Sequence, residues 1–403
     1  MASYHMTAKQ AATTLGITLP TLYAYTSRGQ LRSEPSPGNP RERRYLREDV
    51  ERLRERKEVR RDPSRAAARG LHWGSPVLSS GITLIHNGRL YYRGRDAVRF
   101  AETATLEEAA ALLWEAGESE NLFNQPPPSY SQVTRTLTGV KDPFVRIQAA
   151  LPIAGAVDAS GYDSRPAAVR QTGARIVRLF TSILAGRVAK APAHVALQSA
   201  WAPGKSKTAE ALRTALVLCA DHELNVSAFT ARCAASAGAS VYDAISAGMA
   251  ALKGSRHGGE TKRVSALLAE IATPRSARRV LADRMRRGEK LPGFGHPLYP
   301  DGDPRGALLM RLAEAGPNRA EWKLLRSVRE AGLDLMHDHV NLDFGLVAMA
   351  RTHGLPDHAP LMLFALGRTT GWVAHIMEQY ASDEMIRPRA HYVGPAPGIG
   401  PDL

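Results

Sequence analysis

At 403 residues the chain is long enough for two or more domains, each with its own buried core. Its 44% hydrophobic and 23% charged residues are ordinary for a soluble globular protein, and no apolar run approaches the roughly 20 residues that cross a bilayer, which excludes a membrane-spanning class. The formal charge of +14 is uneven: residues 1–70 carry 15 Lys/Arg against 8 Asp/Glu, so a basic module precedes a nearly balanced body. No basic segment followed by an apolar core opens the chain, so the expected compartment is the cytoplasm.

Thr7–Leu15 is a predicted short helix, with Thr7 able to cap it and Gly16 to end it. Ile17 to Pro20 leads into a second short helix, Thr21–Ser27, stopped by Gly29. An extended stretch from Leu31, a turn-rich tip over residues 35–40 and the run Arg41 to Tyr45 come next, then a third helix from Glu48 to about Arg60. Helix, tight turn, helix, β-wing, helix is the layout of a winged helix-turn-helix. Together with Ala8-x-x-Ala11, Leu15-Gly16-Ile17, Thr21-Leu22-Tyr23-x-Tyr25, Gly29-x-Leu31 and Arg44-Tyr45-x-x-x-Asp49-Val50, the segment resembles the MerR and excisionase type of DNA-binding domain. The second helix then offers Thr18, Thr21, Tyr25 and Arg28 to a groove, and the wing brings Arg41, Arg43 and Arg44 to phosphates. Such modules also serve protein interaction or dimerisation, and that role stays open. The domain is expected over residues 1–62, with a linker over 63–70.

Residues 81–94 alternate as a two-strand hairpin joined at Asn87-Gly88, a strong turn dipeptide. Beyond it, Ala and Leu at helical spacing predict helices over Thr105–Glu115, Pro143–Leu151, Ala167–Leu184, Thr208–His222, Ser227–Leu252, Thr261–Glu270, Ala277–Arg287, Arg305–Ala315, Arg319–Leu333, Leu346–His353 and Leu361–Tyr380. The body is therefore mainly α. Cys219 and Cys233 both fall in Ala-rich helical sequence and read as buried thiols.

Four polar clusters interrupt these helices: residues 220–227 around His222, 252–259 around His257, 292–305 around His296 and Arg305, and 340–345 around Asp343. Most are broken by glycine or proline, the kind of loop on which binding groups are mounted. On the last helix Phe364, Arg368, Gly371, Trp372 and His375 share one face, so Arg368 points into an apolar interior. A guanidinium there needs an anion, either a carboxylate substrate or an Asp or Glu from a neighbouring helix. His337-Asp338-His339 is too sparse a set for a metal site, and none is expected.

In order and over residues 71 to 395, these clusters resemble the citrate synthase family. The residues that carry the likeness are Arg93-Gly94, Ala220-Asp221-His222-Glu223, Ala235-Ser236, His257-Gly258-Gly259, Gly293-Phe294-Gly295-His296, Asp303-Pro304-Arg305, Asn341-x-Asp343-Phe344, Gly371-Trp372-x-x-His375 and Ile386-Arg387-Pro388. The resemblance implies a large helical domain (71–257 and 342–403) and a small one (about 258–341) that closes over the substrates, in a homodimer or higher oligomer. It implies condensation of acetyl-CoA, or another short acyl-CoA such as propionyl-CoA, with oxaloacetate to give citrate or 2-methylcitrate. The CoA thioester is a co-substrate and no cofactor is needed. Asp343 would take the proton next to the thioester, His257 would hold the thioester oxygen and His296 would act on the keto oxygen. His222, Arg305, Arg368 and Arg387, the last from a partner subunit, would hold the carboxylates. The sequence departs from the family around both histidines. Ser255-Arg256 and Glu260-Thr261 replace the usual Pro-Leu and Ala-Asn, and Pro297-Leu298-Tyr299-Pro300 replaces Arg-Val-Tyr-Lys. The alternative is a ligand-sensing, DNA-binding transcriptional regulator with a citrate-synthase-like effector domain.

Overall fold

The structure, a computed structural model, describes residues 5–36, 39–47, 49–51, 53–54, 78–117, 120–124, 126–127, 130–390 and 392–395. The chain divides after residues 79 and 387 into two compact units, the first comprising the N-terminal segment with residues from 388 onward and the second residues 80–387.

In the first unit β1 (His5–Thr7) pairs with β3 (Asn39–Leu46), which pairs with β2 (Ser33–Ser36), giving an antiparallel sheet in the order β1-β3-β2. Helix α1 (Ala8–Leu15) starts at a capping box in which Thr7 Oγ1 accepts the Gln10 N–H and Gln10 Oε1 accepts that of Thr7. Gly16 ends it in the left-handed region. Helix α2 (Leu19–Ser27) begins two residues before the expected Thr21, because Thr18 caps it and Pro20 fits its first turn. Residues 47, 49–51 and 53–54 are helical, in keeping with a third helix. The rest of that predicted helix, the linker 63–70 and the tip at 37–38 lie outside the described residues. Met6, Ala11, Ala12, Leu15, Leu22, Leu31, Tyr45 and Val50 form a small core. Arg32 clamps Asp49 at 2.8 and 2.9 Å, which fixes the turn into that third helix.

The second unit opens with β4 (Thr83–His86), β5 (Arg89–Tyr92) and β6 (Arg95–Asp96) as an antiparallel meander. Asn87 and Gly88 both take positive φ, as a two-residue hairpin turn demands. Arg93 and Gly94 repeat the device before β6, a strand the sequence reading lacked.

Then come α3 (Ala97–Ala101), α4 (Leu106–Leu113), α5 (Tyr130–Thr136), α6 (Pro143–Val157), α7 (Pro166–Ala185), α8 (Ala193–Trp201), α9 (Ser206–Leu218), α10 (Val226–Ser236), α11 (Val241–Leu252), α12 (Glu260–Ile271), α13 (Ala277–Arg286), α14 (Pro304–Ala315), α15 (Arg319–Met336), α16 (Leu342–His353) and α17 (Ala359–Ser382). Several predicted boundaries are corrected. The helix expected over Ser227–Leu252 is two helices, because Gly238 takes φ +80° and Ser240 caps a new start. The helix expected to reach His222 ends at Leu218, which leaves His222 on an irregular stretch. Helix α6 runs through Pro152 instead of stopping before it. Helix α16 starts at Leu342 rather than Leu346, so Asp343 belongs to its first turn.

Helix α17 lies at the centre of this unit and is buried on all sides from Ala359 to Ile376, not only along the predicted face. Two features bring it against residues 219–221. A Cβ on Gly371 would lie 2.3 Å from the Ala220 carbonyl oxygen, and the Gly371 N–H donates to that same oxygen at 3.0 Å. Only glycine permits that approach.

Candidate active site

The loop between α9 and α10 is held from three directions. Thr83 of the hairpin donates to Asp221 Oδ2 at 2.6 Å, the Ile85 N–H donates to Glu223 Oε1 at 3.2 Å, and the Asp221 N–H donates to the buried Tyr92 hydroxyl at 3.3 Å. His375 of α17 brings Nε2 within 3.2 Å of Asp221 Oδ1, both side chains wholly buried. That contact is electrostatic rather than a well-angled hydrogen bond. Burial works against the Asp221 charge, but His375 and Arg368 outweigh it and keep the carboxyl below its ordinary range.

His222 is thereby fixed with its Nε2 2.9 Å from the Tyr299 hydroxyl. Its ring sits edge-on to His296, centroids 5.1 Å apart, and Tyr299 also packs against His296 at 5.0 Å and under the Arg305 guanidinium at 5.3 Å. Arg305 is buried and already paired, bidentate to Asp303 at 2.9 and 2.8 Å, and Asp303 also accepts the Leu342 N–H at 3.1 Å. Burial, with Arg305 and His296 beside it, pushes His222 well below its ordinary pKa.

His296 accepts the Leu298 N–H on Nδ1 at 3.2 Å. Burial, with Arg305 adding to it, lowers its pKa to about 4, so the neutral ring carries its proton on Nε2. His257 lies in the compact turn after α11, its Nε2 2.8 Å from Ser227 Oγ and its ring edge-on to Phe364 at 5.7 Å. Burial, and then Arg368, lower its pKa to about 3. Ser227 Oγ also receives the Trp372 indole N–H at 3.1 Å and donates to Asn225 Oδ1 at 2.7 Å, an oxygen that accepts the Ser227 and Ala228 N–H groups as the cap of α10.

Asp343 Oδ1 is buried with no hydrogen-bond partner. Burial pushes its carboxyl up to about 8, with Glu260 and Asp303 adding to the effect and Arg305 and Arg368 opposing it. Arg368 is 1% exposed; its Nε donates to the Cys219 carbonyl at 2.9 Å, it lies over the Phe364 ring, and its Nη1 has no partner. Of the two anions the sequence left open, a carboxylate of the protein is at hand: Asp221 is the strongest charge acting on Arg368, yet no hydrogen bond joins the two.

His222, His257, His296, Arg305, Asp343 and Arg368 thus act on one another's charges within a single polar cluster. Arg387 does not join it: the residue is exposed in the segment after α17. Sequence reasoning did not single out Ser227, Asp303 or Glu260 as site residues, and used Tyr299 only as a departure from a family pattern. A cavity of about 730 Å³ lined by Phe144, Lys262, Asn318, Arg351, Leu355 and Leu361, among others, contains none of the cluster's residues. Among the described residues no group of three or more His, Cys, Asp or Glu could hold a metal ion.

In the first unit Arg28 and Arg43 are exposed, whereas Thr18 Oγ1 is engaged at the cap of α2 and Tyr25 packs on the unit's core. Arg44 is half-buried and 3.4 Å from Glu34, so it is less available to a phosphate than expected. The Arg41 side chain lies outside the described residues.

A helical body whose loops and helix starts bring together three histidines, an aspartate with one buried, unpartnered oxygen and two buried arginines suits an enzyme of the acyl-transfer type. The profile described as the C-terminal domain of citrate synthase matches residues 70–389, and this chain belongs to the citrate synthase family. A helix-turn-helix profile matches residues 6–58. The chain is 29% identical over 360 residues to citrate synthase 2 of Bacillus subtilis (strain 168), covering 82% of this chain and 96% of that one. It is 29% identical over 373 residues to the 2-methylcitrate synthase of Shewanella oneidensis, covering 82% and 95%. Its fold matches, with TM-score 0.69, 25% identity and coverage of 82% and 96%, the ternary complex of carboxymethyl coenzyme A and oxaloacetate with citrate synthase from the archaeon Thermoplasma acidophilum.

Proposed function

We propose that the body condenses a short acyl-CoA, acetyl-CoA first and propionyl-CoA next, with oxaloacetate to give citrate or 2-methylcitrate and free CoA. The observation that carries the reading is the isolated carboxylate of Asp343, held in the same cluster as two neutral histidines and a guanidinium with a free donor. Asp343 takes a proton from the carbon next to the thioester. That proton is weakly acidic, and a carboxylate removes it only if the developing oxyanion is stabilised by oriented donors.

His257 is the donor assigned to that oxygen. For its Nδ1 to carry the proton, Ser227 must give its hydroxyl hydrogen to His257 Nε2. In the structure that hydrogen is directed to Asn225 Oδ1 at 2.7 Å while the Trp372 indole donates to Ser227, so the hydroxyl turns from Asn225 to His257 Nε2 as the thioester binds. The enolate carbon then attacks the keto carbon of oxaloacetate, and the oxygen formed takes its proton from His296 Nε2. Water hydrolyses the resulting thioester and releases CoA. The dianion is held by His222, Arg305 and Arg368, with Arg387 reaching across a homodimer interface. The Asp303 pairing leaves Arg305 pre-oriented, and the free Nη1 of Arg368 supports a substrate carboxylate as its partner.

Residues 258–341 would move as the small domain against 71–257 and 342–403 and close the cleft. Exposed Arg28 and Arg43 support DNA as the partner of the N-terminal unit, acting in the cytoplasm. The test is release of free thiol from acetyl-CoA and from propionyl-CoA with oxaloacetate, with the product identified by mass. Oxaloacetate-dependent release supports the reading and names the donor. No release with either thioester from folded protein overturns it in favour of a ligand-sensing regulator.

A further inference from the structure

We propose that Glu260 is a positioning residue for the condensation, tying together the three segments that carry His257, His296 and Asp343. The inference rests on the synthase reading above. It starts from one of the chain's own departures, a glutamate directly after His257-Gly258-Gly259.

Glu260 is the first residue of α12, and its N–H donates to the His257 carbonyl at 2.8 Å. Its side chain reaches the neighbouring loop, where Oε1 accepts the Gly293 N–H at 3.3 Å. The Gly293 carbonyl accepts the Asn341 N–H at 2.9 Å, and Asn341 Oδ1 accepts the Asp343 N–H at 3.0 Å as the cap of α16. One residue, Gly293, therefore connects the turn of His257 to the cap of Asp343 through its N–H and its carbonyl, three residues before His296. Gly293 occupies φ +85°, and a Cβ there would lie 2.8 Å from Val264 of α12 and 3.0 Å from the Phe344 side chain of α16, so the loop is wedged between the two helices.

The second role is electrostatic. The charges that act on Asp343 are Glu260 of α12, Asp303 and Arg305 at the start of α14, and Arg368 of α17. The two arginines are answered in part by Asp303 and Asp221, so the Glu260 charge tells on the base. Arg263 at 2.7 Å from Oε2 tempers that charge without removing the Oε1 contact to the loop. A negative neighbour holds the Asp343 proton more tightly, which makes the carboxylate a stronger base once ionised but shifts its working range upward.

Two variants separate the roles. Glu260→Gln keeps an oxygen acceptor for Gly293 and removes the charge; Glu260→Ala removes both. In the full-length protein, kcat/KM for the thioester is measured from pH 5.5 to 9.5 with saturating oxaloacetate. Glu260→Gln is expected to move the acid limb down by about half a pH unit or more, keeping its plateau within a few-fold of the parent. Glu260→Ala is expected to show the same displacement with a plateau roughly tenfold lower. An acid limb that stays in place in both variants overturns the electrostatic role, and a Glu260→Ala plateau equal to that of Glu260→Gln overturns the tie. Equal melting temperatures exclude misfolding as the cause. Absence of turnover in the parent protein would instead be the failure of the synthase reading itself.

Discussion

A carboxylate that must deprotonate carbon works best when it is poorly solvated, and the fold imposes that state at a cost in stability. Asp343 has its pKa raised by burial, with Glu260 and Asp303 adding to it, to about 8. The sign follows directly. Between the unfolded value near 4 and the folded value the native state holds more protons than the unfolded one, so stability falls as pH rises across that window. Asp343→Asn should therefore raise the melting temperature more at pH 9 than at pH 5, in scans of both proteins at both values; an equal gain at the two pH values would show that the carboxyl is not perturbed. Ser227 makes a second case at this scale. If it sets the His257 tautomer, Ser227→Ala lowers kcat by roughly tenfold and leaves the KM for oxaloacetate within about twofold. A large rise in that KM with kcat intact would place Ser227 in binding instead. His257, His296 and Asp343 were legible as candidates because they match the family's ordered motifs and lie where glycine or proline breaks a helical pattern. Ser227, Tyr299 and Glu260 were not, because their partners are 30, 77 and 33 residues away and only the packed chain brings them together.

At the scale of elements, close approach of backbone decides what the site can reach. The Gly371 N–H contact to Ala220 lets α17 press on residues 219–221, which puts Arg368 against the Cys219 carbonyl and His375 against Asp221. A side chain at 371 has no room, so Gly371→Val should destabilise the protein by about 1–3 kcal/mol or more in urea unfolding and weaken oxaloacetate binding in parallel. A variant of parental stability would show that α17 can shift at no cost. The hairpin at Asn87-Gly88 was legible because its turn chemistry is local. The break at Gly238 was hidden inside a continuous Ala-rich pattern, and α3, α5 and α8 are too short or too uneven in apolar spacing to declare themselves. The early start of α16 follows from Asn341, a cap whose role shows only in its bonds to the Asp343 and Phe344 N–H groups.

For the whole molecule, the basic N-terminal unit and the catalytic body make separate demands. The unit has its own small core and helix caps, and Arg28 and Arg43 stand exposed outside that core. If it binds duplex DNA, Arg28→Ala and Arg43→Ala should each reduce the slope of log affinity against log salt by about 0.9, measured by fluorescence anisotropy. Unchanged slopes would assign the unit to protein contacts. Whether Asp343 is the base of a thioester condensation is decided by following free thiol from acetyl-CoA and oxaloacetate with the parent protein and Asp343→Asn side by side. The parent is expected to release thiol only with oxaloacetate, and the folded, at least equally stable variant to lose about 100-fold or more of that rate. Release that survives the substitution undiminished would contradict that role for Asp343.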